Sequence, residues 1–319
     1  MTSRREFLKF ASAAAASYPL AGRSAPLGEK IERLVFVHGR GQQGLDPKNL
    51  KQDWIASLKR GAASINRSIP DWATMEFPYY GDLLEKFVHA ASIPLTSEVH
   101  ARGSAGDEAF LAFQASVAQD ISRKAGISEQ QIDEEYGNNP EPRGPLNWKW
   151  VQAILRTLDR HNGGGMNSSV LELFTRDVYI YCTNPAARVA VDRTVQALLT
   201  KEPTVIVAHS LGTVVAYSVL KNATEYNVPL LVTVGCPLGI RAVRDLNRPI
   251  HWPETVGQWY NAFDTRDVVA LYPLDEENFD VGRGIQNNPN VRNHTDNRHG
   301  IDGYLDDMEV AKRILDAIG

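Results

Sequence analysis

Apolar residues fall along this chain in short blocks that alternate between two periods. Arg33-Leu34-Val35-Phe36-Val37 is a run of β-branched and aromatic residues closed by His38-Gly39-Arg40-Gly41, which predicts a buried strand ended by a glycine turn. Leu50, Trp54, Leu58 and Ala62 then recur at helical spacing and predict a helix from about Pro47 to Ser64. The run Ala73 to Tyr79 predicts a second strand ending at Pro78-Tyr79-Tyr80-Gly81. From Asp82 to Arg176 no run reads as a strand. Apolar residues such as Phe110, Phe113 and Val117 come every three or four positions, and the stripe is broken by Asn138-Asn139-Pro140, Arg143-Gly144-Pro145 and Gly163-Gly164-Gly165. A helical insertion, a cap or flap over the core, is expected for 82–176. Asp177 to Cys182 has strand-like composition, but Leu171, Phe174, Val178 and Tyr181 continue a helical stripe, and helix is the reading adopted.

The strongest pattern starts at Pro203. Thr204-Val205-Ile206-Val207 is continuously apolar, Ala208-His209-Ser210-Leu211-Gly212 is a tight turn, and Thr213 to Leu220 is apolar on nearly every face, as in a fully buried helix. A serine between small residues, set between strand and helix, is the context of a nucleophile elbow: the turn is sharp and strained, and bulk two positions away would keep the helix off the strand. Ala208 stands where a first glycine is usual, and its small side chain meets the same steric demand. Further strands are expected at Leu230 to Gly235 and Gln258 to Phe263.

Charge and cysteine content narrow the chemistry. With 34 Lys and Arg against 38 Asp and Glu in 319 residues, the formal charge of −4 gives no support to nucleic-acid binding. Two cysteines, Cys182 and Cys236, rule out a disulfide scaffold and a multi-cysteine zinc module, and leave open whether they pair. Cys236 reads as a small packed residue. Gly39-Arg40-Gly41 lacks the further glycine and acidic residue of a dinucleotide fingerprint, so no cofactor is implied. His294, Asp296 and His299 lie in a loop rich in Asn and Arg, whose polarity is explained by solvation better than by a metal.

His38-Gly39, the elbow around Ser210, Thr233-Val234-Gly235-Cys236-Pro237-Leu238-Gly239 and the tail around His299 together resemble an α/β-hydrolase of the lipase, esterase and thioesterase type. The resemblance leaves 82–176 unmatched. It implies a mostly parallel central sheet flanked by helices, within one domain over 26–319, and a serine, acid, histidine order along the chain. Of the eight histidines only His251, His294 and His299 follow Ser210. Asp267, in Arg266-Asp267-Val268-Val269, resembles the family's acid loop, with Asp264 as the alternative; His251 then falls out of order, and His299 before the last helix is favoured over His294. The same resemblance implies an oxyanion hole from the backbone N–H of Leu211 and of Arg40, with Gly39 adjacent, while His38 braces the turn.

The expected function is cleavage of carboxylic esters or thioesters of a small-molecule or lipid-like acyl substrate through an acyl-enzyme. A peptidase or amidase on the same residues and a non-catalytic binding protein are the alternatives. At the N-terminus, Ser3-Arg4-Arg5-Glu6-Phe7-Leu8-Lys9 resembles a twin-arginine export signal over 1–25. The alanine-rich run that follows, about 12 residues, is shorter than the roughly 20 that span a bilayer. The twin-arginine machinery is thus an expected partner, and a periplasmic, secreted or signal-tethered location the expected destination.

Overall fold

The computed structural model describes residues 31–93, 95, 105–139, 141–161 and 168–318. The expected export segment 1–25 and Gly163-Gly164-Gly165 lie outside them. Strand β1 (Arg33–Val37) is followed by helix α1 (Pro47–Ser64) and the short β2 (Thr74–Glu76), and the remaining strands are β3 (Thr204–His209), β4 (Val228–Val234), β5 (Val256–Ala262) and β6 (Gln286–Asn288). They form one sheet in the order β2-β1-β3-β4-β5-β6, every neighbouring pair parallel. This is an α/β architecture, and it explains why β3 is buried at all six positions: helices cover both faces, so an alternating pattern would bury polar groups.

From β1 the chain steps to one side to make β2, then returns to the other side for β3 to β6. In such sheets a crevice opens beyond the carboxyl ends of the two strands where the direction reverses, here β1 and β3. Those ends carry His38-Gly39-Arg40 and Ser210.

One face of the sheet is covered by α1 and the last helix, α11 (Met308–Ile318). Asp46 caps α1 by accepting from the Lys48 N–H, and Trp54, Leu58 and Ala62 pack with Leu34 and Phe36 of β1 and with Ile314 and Leu315 of α11. On the other face lie α2 (Gly81–Ala91), α6 (Ser168–Thr183), α7 (Pro185–Gln196) and α8 (Leu211–Lys221). Helices α3 (Ala105–Lys124), α4 (Glu129–Tyr136) and α5 (Trp148–His161) build outward from α6 and from α9 (Arg241–Leu246). Phe110, Phe113 and Val117 join one continuous core with Val35 and Val37, so the helical block is fused to the sheet. Helix continues across Arg176, as the stripe through Asp177 to Cys182 predicts. Leu171, Phe174, Val178 and Tyr181 are all buried, the stripe carries α6 without a break to Thr183, and α7 follows.

One expected strand is shorter than its apolar run, and one further strand forms that no apolar run marks. The run Ala73 to Tyr79 forms only three residues of strand, since Pro78 has no N–H to offer a ladder. Strand β6 was not expected, because Gln286-Asn287-Asn288 has no apolar residue. It is an edge strand held by side chains: Asn287 Oδ1 accepts from Leu274 N–H and Asn261 Nδ2, and its own amide donates to the Leu274 carbonyl. Among the described residues no helix is long and apolar enough to cross a membrane.

Candidate active site

Ser210 sits at the junction of β3 and α8 with φ 54° and ψ −128°, a conformation that a non-glycine residue adopts only when its surroundings impose it. They do so here from both sides. Ser210 N–H donates to the Val234 carbonyl at 3.1 Å, and its own carbonyl accepts from Thr213 N–H at 2.9 Å and Thr213 Oγ1 at 2.7 Å. A Cβ on Gly212 would lie 2.3 Å from the Val37 carbonyl oxygen and 2.4 Å from that of His38, so α8 can start this close to β1 only without one. A Cβ on Gly39 would lie 2.9 Å from Ser210 Cβ, which places the loop after β1 directly against the serine.

The serine faces His299. Ser210 Oγ lies 2.8 Å from His299 Nε2, and His299 Nδ1 lies 2.6 Å from Asp267 Oδ2. A carboxylate can only accept from Nδ1, so the imidazole is the Nδ1–H tautomer and Nε2 is left bare to accept the serine proton. Asp267 is fully buried, and its charge is met by three donors: His299 and the Tyr304 hydroxyl (2.5 Å) on Oδ2, and Val269 N–H (3.0 Å) on Oδ1. Gly235, with φ 58°, clears the space for the imidazole, since a Cβ there would approach His299 Cε1 to 3.0 Å.

The two alternatives left open by sequence lie elsewhere. Asp264 is buried beneath Arg266, which binds it through Nε at 3.0 Å and a second nitrogen at 2.9 Å, and it also accepts from Asn293 N–H. Burial pushes its carboxyl up, but the Arg266 guanidinium and the backbone N–H groups of Arg266 and Asn293 outweigh this and hold it below the usual carboxylate range. It anchors the loop that carries His299. His294 is exposed and pairs with Asp306 at 2.8 Å, away from the serine.

Leu211 is the first residue of α8, so its N–H has no intrahelical carbonyl to reach. On the opposite loop His38 does the bracing. Its Nδ1 donates to the Gly39 carbonyl at 2.7 Å and its Nε2 accepts from Tyr80 N–H at 3.1 Å. Because the peptide is trans, drawing the Gly39 carbonyl onto the imidazole turns the Arg40 N–H the other way. The Arg40 side chain is tied back to α6, its Nε 2.8 Å from Asp177 Oδ2, so the helical block reaches the rim of the site. Burial pushes the Asp177 carboxyl up despite that partner.

His209, the residue before the serine, escaped the sequence reading although it lies inside the elbow motif. Its Nε2 donates to the His299 carbonyl at 2.7 Å and the two rings stand 4.9 Å apart. Burial, with the neighbouring His299, holds its pKa well below the ordinary value, so it stays neutral beside His299. Tyr304 also escaped it, although it lies only five residues beyond His299. Cys182 and Cys236 are free thiols; burial pushes them to about 11 and about 12, which leaves neither as a thiolate nucleophile at neutral pH.

Comparison with known proteins finds no family model, no curated protein and no solved structure that matches this chain.

The geometry of the site also predicts acid sensitivity. Burial lowers His38 from the ordinary 6.5 to about 4, against the Gly39 carbonyl that favours its protonation. The unfolded chain binds a proton there before the folded one does, so stability is lost as pH falls from the unfolded value towards the folded one. His38 alone removes about 3 kcal/mol by the time its folded pKa is reached, and His209 acts in the same direction. Urea unfolding midpoints across that window should fall accordingly, and a His38→Asn protein, less stable at neutral pH, should lose correspondingly less on acidification.

Proposed function

We propose that this chain is a serine hydrolase of the α/β-hydrolase type that cleaves carboxylic esters or thioesters through an acyl-enzyme. The observation that carries the reading is the unbroken line from Ser210 Oγ to His299 Nε2 and from His299 Nδ1 to buried Asp267, at 2.8 and 2.6 Å, with the serine held at a strained elbow. A surface serine beside a histidine by chance would need neither the strain nor the buried carboxylate.

In this reading His299 Nε2 takes the Ser210 proton as Oγ attacks the acyl carbonyl, and Asp267 stabilises the imidazolium that forms. Negative charge gathers on the substrate oxygen, where the N–H groups of Leu211 and Arg40 receive it. Collapse expels the alcohol or thiol, which takes the proton from His299, and leaves the acyl group on Ser210. Water, deprotonated by His299 in turn, releases the acid and restores the serine. The parallel sheet with its reversal between β1 and β3 supports the reading, since it brings the anion-binding loop and the nucleophile to one crevice.

Nitrophenyl esters of graded acyl length test it. The protein should hydrolyse at least one of them, with the preferred length reporting the acyl pocket, and the activity should vanish in Ser210→Ala. A folded protein inert to the whole series and to the corresponding thioesters would refute the proposal.

A further inference from the structure

The carboxylate behind His299 has a partner that a serine–histidine–aspartate line does not require. Tyr304 is completely buried in α10 (Asp302–Leu305), and its hydroxyl donates to Asp267 Oδ2 at 2.5 Å, the same oxygen that accepts His299 Nδ1 at 2.6 Å. One short segment, His299-Gly300-Ile301-Asp302-Gly303-Tyr304, delivers both donors. Its two glycines lie where the turn is tightest: a Cβ on Gly300 would strike the Thr295 side chain at 2.6 Å, and one on Gly303 would strike Asn293. Asn293 in turn holds the segment by donating from Nδ2 to the Gly300 carbonyl at 2.8 Å.

We infer that Tyr304 is a positioning residue that acts through Asp267 to set the basicity of His299. The inference deepens the hydrolase reading and rests on it for its catalytic meaning. A carboxylate oxygen that accepts two hydrogen bonds divides its charge between them. The hydroxyl stabilises the carboxylate whether or not His299 is protonated, and so weakens the carboxylate's pull on the imidazolium. Without the hydroxyl that charge acts on the imidazole alone, and His299 holds its proton to higher pH. Burial and the Asp267 charge keep the phenol well above its ordinary range, so it remains a donor wherever the enzyme would work. Its oxygen has one further neighbour, the Asp264 N–H at 3.4 Å, which fixes the direction of the hydroxyl.

The titratable groups that face His299 are few. Asp267 comes from the loop after β5, neutral His209 from the end of β3, Ser210 from the elbow and Tyr304 from α10, with Asp264 behind the tyrosine. None but Tyr304 can be altered at Asp267 without touching the serine–histidine pair itself.

The test is an NMR titration of the His299 imidazole in protein labelled at histidine Cε1, the signal identified by its loss in His299→Gln. Tyr304→Phe keeps the ring and its packing, and should raise the titration midpoint by about half a unit to one unit, a part of the roughly 1–2 units that one hydrogen bond to a charged group is worth, because the hydroxyl also stabilises the carboxylate beside the neutral imidazole. The acid limb of kcat/KM should move up with it. Incorporation of 3-fluorotyrosine at 304 makes the phenol a stronger donor in the same space and should move the midpoint the other way. Midpoints that stay fixed in both proteins, with only a fall in melting temperature for Tyr304→Phe, would overturn the inference and leave Tyr304 as a packing residue. The titration needs no turnover, so it separates this inference from the hydrolase reading: a wild-type protein that cleaves no ester defeats the latter, while the midpoints still decide whether Tyr304 tunes His299.

Discussion

Ser210→Ala and His299→Ala should each lower ester turnover by about four to six powers of ten, and the double variant should be little worse than either alone, because the two groups act as one unit. Ser210 Oγ lies 2.8 Å from His299 Nε2, and in the proposed mechanism removing either end leaves the other without a task. Asp267→Asn should cost about four powers of ten, since an amide in place of the carboxylate permits the wrong imidazole tautomer. Asp264→Asn separates the two carboxylates that sequence could not. It should weaken the Arg266 and Asn293 contacts and lower the melting temperature, while the serine–histidine pair keeps its partner Asp267. His294→Ala should leave turnover close to wild type, because its side chain is exposed and faces Asp306. Steady-state rates on the best nitrophenyl ester, measured beside melting temperatures, distinguish these cases. A fall of several powers of ten in Asp264→Asn with Asp267→Asn unaffected would reverse the assignment of the acid.

The second large effect is on folding. Gly212→Ala would push a methyl group to 2.3 Å from the Val37 carbonyl oxygen, and that atom belongs to the backbone of β1, which is paired on both sides in the sheet. Neither β1 nor α8 can shift without disturbing the pairing of β1 with β3 or the buried faces of Val214 and Val215. Overpacking of this kind costs typically 1–3 kcal/mol, and more where rigid backbone is the neighbour, so ~3 kcal/mol or outright failure to fold is expected. Gly284→Ala is the matched control. Nothing lies within 4 Å of the added Cβ, and its stability change should stay within about 0.5 kcal/mol. Chemical denaturation of the two variants compares them directly.

What could be read in advance follows the strength of the local physics. β1 and β3 are continuous apolar runs because both faces of a parallel sheet are covered, and the run in β3 ends in a turn whose small residues have one steric purpose. That made Ser210 legible. His299 and Asp267 were reached through chain order under a family resemblance, and choosing between neighbours such as Asp264 and Asp267 needed three-dimensional partners: Arg266 for one, His299 for the other. Strand β6 escaped because Gln286-Asn287-Asn288 is held by side-chain amides rather than by apolar burial. The helical reading of Asp177 to Cys182 rested on the stripe Leu171, Phe174, Val178 and Tyr181, and α6 carries that stripe through Arg176, which has no breaker beside it. Tyr304 and His209 escaped for a different reason. Each acts through one long-range hydrogen bond, to Asp267 and to the His299 carbonyl, and no periodicity marks such a partner.

The central claim is that Ser210 is an activated nucleophile. Intact-mass analysis after treatment with a fluorophosphonate reads this without any assumption about substrate. One phosphonyl adduct per chain is expected, mapped to Ser210 by peptide analysis, absent in Ser210→Ala and formed far more slowly in His299→Ala, whose serine has lost its base. A folded protein that forms no adduct, or forms it on another residue while Ser210→Ala labels at the wild-type rate, would contradict the claim.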